Sequence, residues 1–244
     1  MFSVKISIVV PAFNEQKLIG SSLQAINKAS AAFERLKWES ELIVCDNNSS
    51  DRTAELARAE GATVVFEPIN QIGRARNRGA AEATGDWIIF IDADSSPSQE
   101  LFAAVARVIQ SGKCVAGGST VKLERGHLIG NLITSTWNIL SRIKKWAPGS
   151  FMFCERAAFE KIGGFSAELF VTEELDLFQR LKNLAREQGR QIVIVHRHPL
   201  LTSARKMHLY SAWDHLRLLG KTLIRTAKTI RNREECFMWY DGRR

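Results

Sequence analysis

The chain has 244 residues, 45% hydrophobic and 25% charged, with a net charge of +8 and a pI of about 9.5. That length suits one large α/β domain with a substantial core, and the composition excludes a disordered or fibrous protein. The basic balance points to an anionic partner, while four scattered cysteines (Cys45, Cys114, Cys154 and Cys236) without a C-x-x-C pair exclude a zinc knuckle and give no disulfide framework.

Lys5–Val10 reads as a first strand. Its apolar run, Ile6 to Val10, is stopped at once by Pro11, too early for a signal-peptide core, and no stretch reaches the ~18 apolar residues of a membrane span. A cytoplasmic chain is the expectation. Glu15–Ala32 is predicted as a helix, Glu41–Cys45 as a second strand, and Ser50-Asp51 as the cap of a second helix. Thr63–Phe66, Ile72–Ala83 and Trp87–Ile91 continue the alternation as strand, helix and strand. Strands separated by helices predict a mostly parallel central sheet with right-handed crossovers.

Beyond Asp94 a helix over Gln99–Ser111 and a strand over Val115–Leu123 are predicted. A segment containing Trp137–Trp146 precedes Pro148-Gly149-Ser150 and a strand at Phe151–Cys154. Short helical Arg156–Ile162 is stopped by Gly163-Gly164; a helix over Glu174–Gln188 and a last strand, Gln191–Val195, follow. No linker divides this span, so residues 1–205 are expected to form one domain, with a nucleotide-binding half (1–95), an acceptor half (96–205) and a C-terminal extension (206–244).

Three successive strands end in polar or acidic residues at one sheet edge, where open α/β folds bind ligands. Strand one runs into Pro11-Ala12-Phe13-Asn14-Glu15, and the second ends Asp46-Asn47-Asn48-Ser49-Ser50-Asp51. The buried run Trp87–Ile91 ends in Asp92-Ala93-Asp94. Alternate residues of an extended segment point the same way, so Asp92 and Asp94 can face one site. Two hard oxygen donors suit Mg²⁺ or Mn²⁺ with waters and phosphate oxygens completing the shell. In Gly73-Arg74-Ala75-Arg76-Asn77-Arg78-Gly79, Arg74 and Arg78 share a helix face while Arg76 points elsewhere. Either the helix is a solvated basic one, or one guanidinium fork reaches a nucleotide carbonyl or phosphate.

Val-Val-Pro-Ala-Phe-Asn-Glu (9–15), Asp-Asn-Asn-Ser-Ser-Asp (46–51), Ala-Arg-Asn-Arg-Gly (75–79) and Phe-Ile-Asp-Ala-Asp (90–94), in that order, resemble glycosyltransferase family 2. Gly149-Ser150-Phe151-Met152, Gly163-Gly164-Phe165 and Thr172–Leu177 extend the likeness over roughly residues 4–182. The resemblance implies a GT-A fold, a sugar-nucleotide donor, a divalent metal and inversion at the anomeric carbon. Pro11, Ala12 and Glu15 would line the base and ribose pocket, with Asp46 and Asn47 beside the base and Arg76 contacting it. Asn47 stands where the family often has an acid. Its amide can accept from uracil or donate, so a UDP-sugar is favoured, with guanosine and thymidine donors left open. Asp92 and Ala93 would flank the ribose and metal, and Asp94 would be the direct ligand. An inverting transfer needs a general base, and Glu174, or Glu173 before it, takes the position where the family places an Asp. His196 and His198, after the last strand, are candidate metal ligands; Arg205 and Lys206 are candidate diphosphate clamps.

The tail carries an apolar stripe (Leu209, Trp213, Leu216, Leu219, Leu223) beside a basic ridge (Arg217, Lys221, Arg225, Lys228), which suits either packing on the domain or peripheral contact with an anionic inner membrane face. The reading is therefore an inverting, metal-dependent transferase of one sugar to an acceptor hydroxyl, lipid-linked or polysaccharide. A catalytically silent sugar-nucleotide binder is the alternative. A nucleotidyltransferase fits less well, for want of a Gly-rich basic loop after strand one. A nucleic-acid module is disfavoured because the aromatics do not interleave with the cations.

Overall fold

The computed structural model describes residues 3–124 and 128–205. In chain order the elements are β1 (Lys5–Ala12), α1 (Ile19–Glu34), β2 (Glu39–Asp46), α2 (Thr53–Ala59), β3 (Thr63–Phe66), α3 (Ile72–Ala81), β4 (Trp87–Ile91) and β5 (Ser95–Ser96). They continue with α4 (Gln99–Gln110), β6 (Cys114–Leu123), α5 (Leu128–Lys144), β7 (Phe151–Glu155), α6 (Arg156–Lys161), α7 (Glu173–Glu187) and β8 (Gln191–Thr202). The strands make a single eight-stranded sheet in the order β3-β2-β1-β4-β7-β6-β8-β5. β1 to β4 are parallel throughout, and antiparallel pairing enters only with β7, between β4 and β6, and with β5 on β8.

Period-2 alternation in β1 divides the core between the two faces. Ile6, Ile8 and Val10 join Leu23 and Ile26 of α1 and Phe102 and Val105 of α4 on one side. Val9 joins Phe90, Phe159, Phe165, Leu177 and Phe178 on the other, beneath α3, α6 and α7. Phe90 is fully buried, with ring centroids 5.4 Å from Phe159 and 5.2 Å from Phe165. Truncating a core aromatic of this kind costs about 3–5 kcal/mol. Gly79 lets α3 lie against the sheet: a Cβ there would stand 2.4 Å from Val9 Cγ1.

The chain winds from β1 to β2 and β3 on one side and places β4 on the other. The carboxyl ends of β1 and β4 therefore border a topological switch point, where such sheets leave a crevice. Two boundaries differ from expectation for reasons that shape this crevice. α1 starts at Ile19 rather than Glu15, because Asn14 turns through φ 53° and the Glu15 N–H goes to Thr53 Oγ1 at 2.8 Å. β8 does not stop at Val195. It pairs with β6 across a register shift as far as Thr202, so His196, Arg197 and His198 lie within the strand and not in a loop after it. The proposed C-terminal extension, including Lys206, lies outside the described residues.

Candidate active site

The ends of β1 and β2 are in register, Ala12 opposite Asp46, and the Asn47 N–H continues the ladder to the Ala12 carbonyl at 2.8 Å. Asp46 is buried, and its Oδ1 accepts from the Ser49 N–H at 3.1 Å, closing the turn beyond the strand. Asn47, expected beside the base, has its amide engaged with the protein. Its Nδ2 donates to the carbonyls of Glu67 (3.1 Å) and Ile69 (2.6 Å), and its Oδ1 accepts from the Gln71 N–H at 2.9 Å. The amide that would read a base thus braces the 67–71 loop that leads into α3.

Pro11 and Ala12 are buried at the end of β1, and Glu15, 6% exposed, follows on the turn beyond them. The Glu15 carboxylate accepts from Arg205 Nη2 at 2.9 and 2.8 Å, and the same nitrogen lies 3.9 Å from Asp94 Oδ2. Arg205 therefore ties the first strand's turn to the end of the fourth. Asp92 and Asp94 leave β4 on either side of buried Ala93, and β5 follows so closely that the Ser95 N–H bonds back to the Asp92 carbonyl at 3.1 Å.

Arg76 is the centre of the charge arrangement. α3 carries it under the crevice, 1% exposed, where Nη1 donates to Glu173 Oε1 at 2.6 Å. Its Nη2 donates to Asp92 Oδ1 at 3.2 Å and to the Gly149 carbonyl at 2.9 Å. Its guanidinium carbon stands 5.2 Å from the Phe165 ring centroid, a cation–π contact in a desolvated place. The fork assigned by resemblance to a nucleobase is thus engaged by the acids of two distant segments.

Burial disfavours the charged form of Arg76, but Asp92, Glu173 and Glu174 outweigh it and hold the guanidinium protonated. One cation cannot balance three carboxylates. Burial, partly offset by Arg76, raises the pKa of Glu173, and burial together with neighbouring Glu173 pushes Glu174 up to about 8. At neutral pH the pair therefore keeps a proton. Gly149 makes room for this group: a Cβ there would lie 3.3 Å from Arg76 Nη2 and 3.8 Å from the Glu174 carboxyl carbon.

The loop before α7 is pinned from α3. Gln71 Nε2 donates to the carbonyls of Ala167 (2.9 Å) and Leu169 (2.8 Å). Asn77 exchanges two bonds with the backbone of Phe165, at 2.8 and 2.9 Å. At the head of α7, Thr172 takes a left-handed conformation (φ 63°, ψ 13°), an uncommon backbone for a β-branched residue.

Residues 7–164, more than half of the chain, match the family described as Glycosyl transferase family 2. The chain belongs to that family. It is 28% identical over 204 residues to a probable glycosyltransferase, YdaM, of Bacillus subtilis (strain 168), covering 74% of this chain and 47% of that one. It is 32% identical over 149 residues to an undecaprenyl-phosphate 4-deoxy-4-formamido-L-arabinose transferase of Enterobacter sp. (strain 638), covering 54% and 44%. The chain thus spans less than half the length of these relatives. Among solved structures it superposes on the mannosyltransferase PcManGT of Pyrobaculum calidifontis, in complex with GDP-Man and Mn²⁺, with a TM-score of 0.70 at 20% identity, over 95% of this chain and 66% of that one. A glucosyl-3-phosphoglycerate synthase of Mycobacterium tuberculosis gives 0.60 at 21% identity, over 96% and 78%. The fold is GT-A.

Within this family 2 fold, Pro11, Ala12, Glu15, Asp46, Asn47, Asp92, Ala93, Asp94 and Arg205 lie at the ends of strands or on the turns that follow them, while Arg76 of α3 and Glu173 and Glu174 at the head of α7 approach from the helices. The histidines do not join them. His196 lies on the wall of a cavity under α5 with Thr120 and Asn138, while His198 lies near enough to Glu100 to favour its ionised form. Among the described residues no group of three or more His, Cys, Asp and Glu side chains could hold a metal ion. The bonds of Gln71 and Asn77 and the clearance at Gly149 are not legible in the motifs. Asn77 and Gly149 stand inside matching motifs, which give position without partner, and Gln71 stands outside them.

Proposed function

We propose that the chain is the catalytic domain of an inverting, metal-dependent glycosyltransferase that moves one sugar from a nucleotide-diphosphate sugar, UDP-linked by preference, to an acceptor hydroxyl on a lipid-linked or polysaccharide acceptor. The observation that carries this reading is the protonatable Glu173–Glu174 pair, raised by burial and set beside Arg76 at the same sheet edge as Asp92 and Asp94.

Glu174 is the general base. Its carboxyl loses its proton near pH 8 and can then take the proton of an attacking acceptor hydroxyl. Glu173 is a positioning residue: its 2.6 Å bond to Arg76 fixes the head of α7, and its charge raises the basicity of Glu174. Asp94 and Asp92 fit Mg²⁺ or Mn²⁺ as two hard oxygen donors, a shell that donor phosphates and waters complete. Such an ion would supply charge stabilisation for the departing diphosphate. Among the described residues the Asp94 carboxylate has one ion-pair contact, at 3.9 Å, which leaves it the better placed of the two for this role. Arg205, between Glu15 and Asp94, adds positive charge at the diphosphate side. Pro11, Ala12, Ala93 and Asp46 form the nucleoside side of the crevice.

The test is a thermal-shift series with UDP-, GDP- and dTDP-sugars, each with and without Mn²⁺. A metal-dependent rise with one of the donors is expected. No rise with any donor in either condition would overturn the reading.

A further inference from the structure

Helix α5 is folded inside out. Its inward face is polar: Asn138 Oδ1 accepts from the Val121 N–H at 3.0 Å, and Nδ2 donates to the Val121 carbonyl at 2.8 Å. Ser141, fully buried, donates to the Trp146 carbonyl. Its outward face carries Leu132, Ile133, Ile139, Leu140 and Ile143, all exposed, Leu132 by 69% and Ile143 by 71%. At about 100° per residue these five fall within one arc of about 120°. Exposed Arg142 lies beyond one edge of that arc and exposed Lys144 beyond the other, Lys145 follows, and α5 contains no acidic residue.

A helix resting on a sheet ordinarily turns its apolar stripe inward. Five large apolar side chains gathered on the outside mark a surface that meets something else. The flanking charge identifies the chemistry of that partner. An apolar stripe interrupted only by Thr136, whose flanking charges on α5 are Arg and Lys alone, matches a helix lying in the interface of an anionic bilayer, its aliphatic side chains among the acyl ends and its cations reaching the phosphates. A cavity of about 570 Å³ opens at the same edge, between Arg142 and Lys145 of the α5 end and His196 of β8, and can admit a headgroup phosphate. No helix among the described residues is long and apolar enough to cross a membrane, so contact through this face is peripheral.

We propose that α5 docks the chain on an anionic bilayer through Leu132, Ile133, Ile139, Leu140 and Ile143, with Arg142, Lys144 and Lys145 at the headgroups. The proposal stands apart from the transferase reading, since vesicle binding is measured without donor or acceptor.

The test is co-sedimentation of the full chain with phosphatidylglycerol-rich vesicles and with pure phosphatidylcholine vesicles at physiological salt. Binding to the anionic vesicles alone is expected. The double variant Leu132→Ser/Ile143→Ser should weaken it at least ~tenfold without moving the thermal midpoint, because both side chains are mostly exposed. Lys144→Gln/Lys145→Gln should weaken it and flatten its salt dependence. Three results would overturn the proposal. One is no binding to anionic vesicles. Another is undiminished binding by the serine variant, which would move the contact elsewhere, the basic stretch of residues 206–244 included. The third is a dimer that the serine variant dissociates while vesicle binding is absent, which would make a second copy the partner.

Discussion

Replacing Glu174 by Gln should stabilise the protein while stopping transfer, and the stabilisation should depend on pH in a defined direction. The folded chain raises the Glu174 pKa from the ordinary 4.5 to about 8, through burial first and the adjacent Glu173 second. A carboxyl raised on folding contributes most below its unfolded pKa, where both states hold the proton. That contribution is lost as the pH climbs through 8, where the folded chain must carry a charge away from water. The gap of about 3.5 pH units at about 1.4 kcal/mol each sets a ceiling of ~5 kcal/mol. Glu174 is partly exposed and shares its proton with Glu173, so about 2–3 kcal/mol is the working expectation. Thermal denaturation of both proteins should therefore coincide near pH 5 and separate near pH 8.5, with the variant about 5–10 °C higher. In the wild type, kcat/KM should rise with pH towards a plateau above about 8, as the base is freed. Equal midpoints near pH 8.5, or a separation that is larger near pH 5, would refute the reasoning. An active Glu174→Gln enzyme would move the base elsewhere.

The other predictions concern the groups around it. Asp94→Ala should abolish the Mn²⁺-dependent part of the donor thermal shift while leaving the fold intact, since among the described residues the aspartate's ion-pair contact is the 3.9 Å one to Arg205; a persisting metal effect would assign the ion to other residues. Arg76→Met removes the cation from Glu173 and Asp92 together and should cost about 3–5 kcal/mol, read as a lower denaturation midpoint; Arg76→Lys should recover little of it, because one ammonium cannot reproduce the fork. Asn47→Asp should destabilise by about 1–3 kcal/mol, since the two carbonyls of Glu67 and Ile69 lose their donors to an acceptor-only carboxylate. A neutral Asn47→Asp change with tighter UDP-sugar binding would instead restore the base-reading role.

Thr63–Phe66 and Trp87–Ile91 are strands in the structure with the bounds their sequence predicts: the second is a fully buried parallel strand that reads as an unbroken apolar run, and the first is a short β-branched and aromatic run at the sheet edge. The aspartates of 92–94 were expected on an extended segment, but the chain turns there, the Ser95 N–H bonding back to the Asp92 carbonyl at 3.1 Å, so a period of two does not set their directions. α5 was not legible, for its apolar residues face outward and its inward contacts are made by Asn138 and Ser141. The second half of β8 escaped notice because His196-Arg197-His198-Pro199 ends the apolar run, while pairing with β6 carries the strand on to Thr202. Arg76 is the sharpest case. Helical spacing separates its face from that of Arg74 and Arg78, but its partner Glu173 comes from 97 residues downstream, and only the fold brings the two together. The same holds for Asn47, where the residue type allows both base reading and loop bracing.

The long reach of α3 bears on how the site is prepared. Gln71, Arg76 and Asn77 each bond to the segment 165–173, so one short helix fastens the acid pair of α7 to the sheet that carries Asp92 and Asp94. Shifting that segment would strand a buried guanidinium, the buried amide of Gln71 and the half-buried amide of Asn77, a penalty of several kcal/mol. Surroundings this over-determined can sustain a left-handed Thr172, whose backbone strain is of order 1–3 kcal/mol. In the proposed mechanism the base, Glu174 at the head of α7, is thereby held relative to Asp92 before either substrate arrives. Catalysis by charge placement depends on that order, because dipoles and ions fixed in advance need no reorganisation when the bond is transferred.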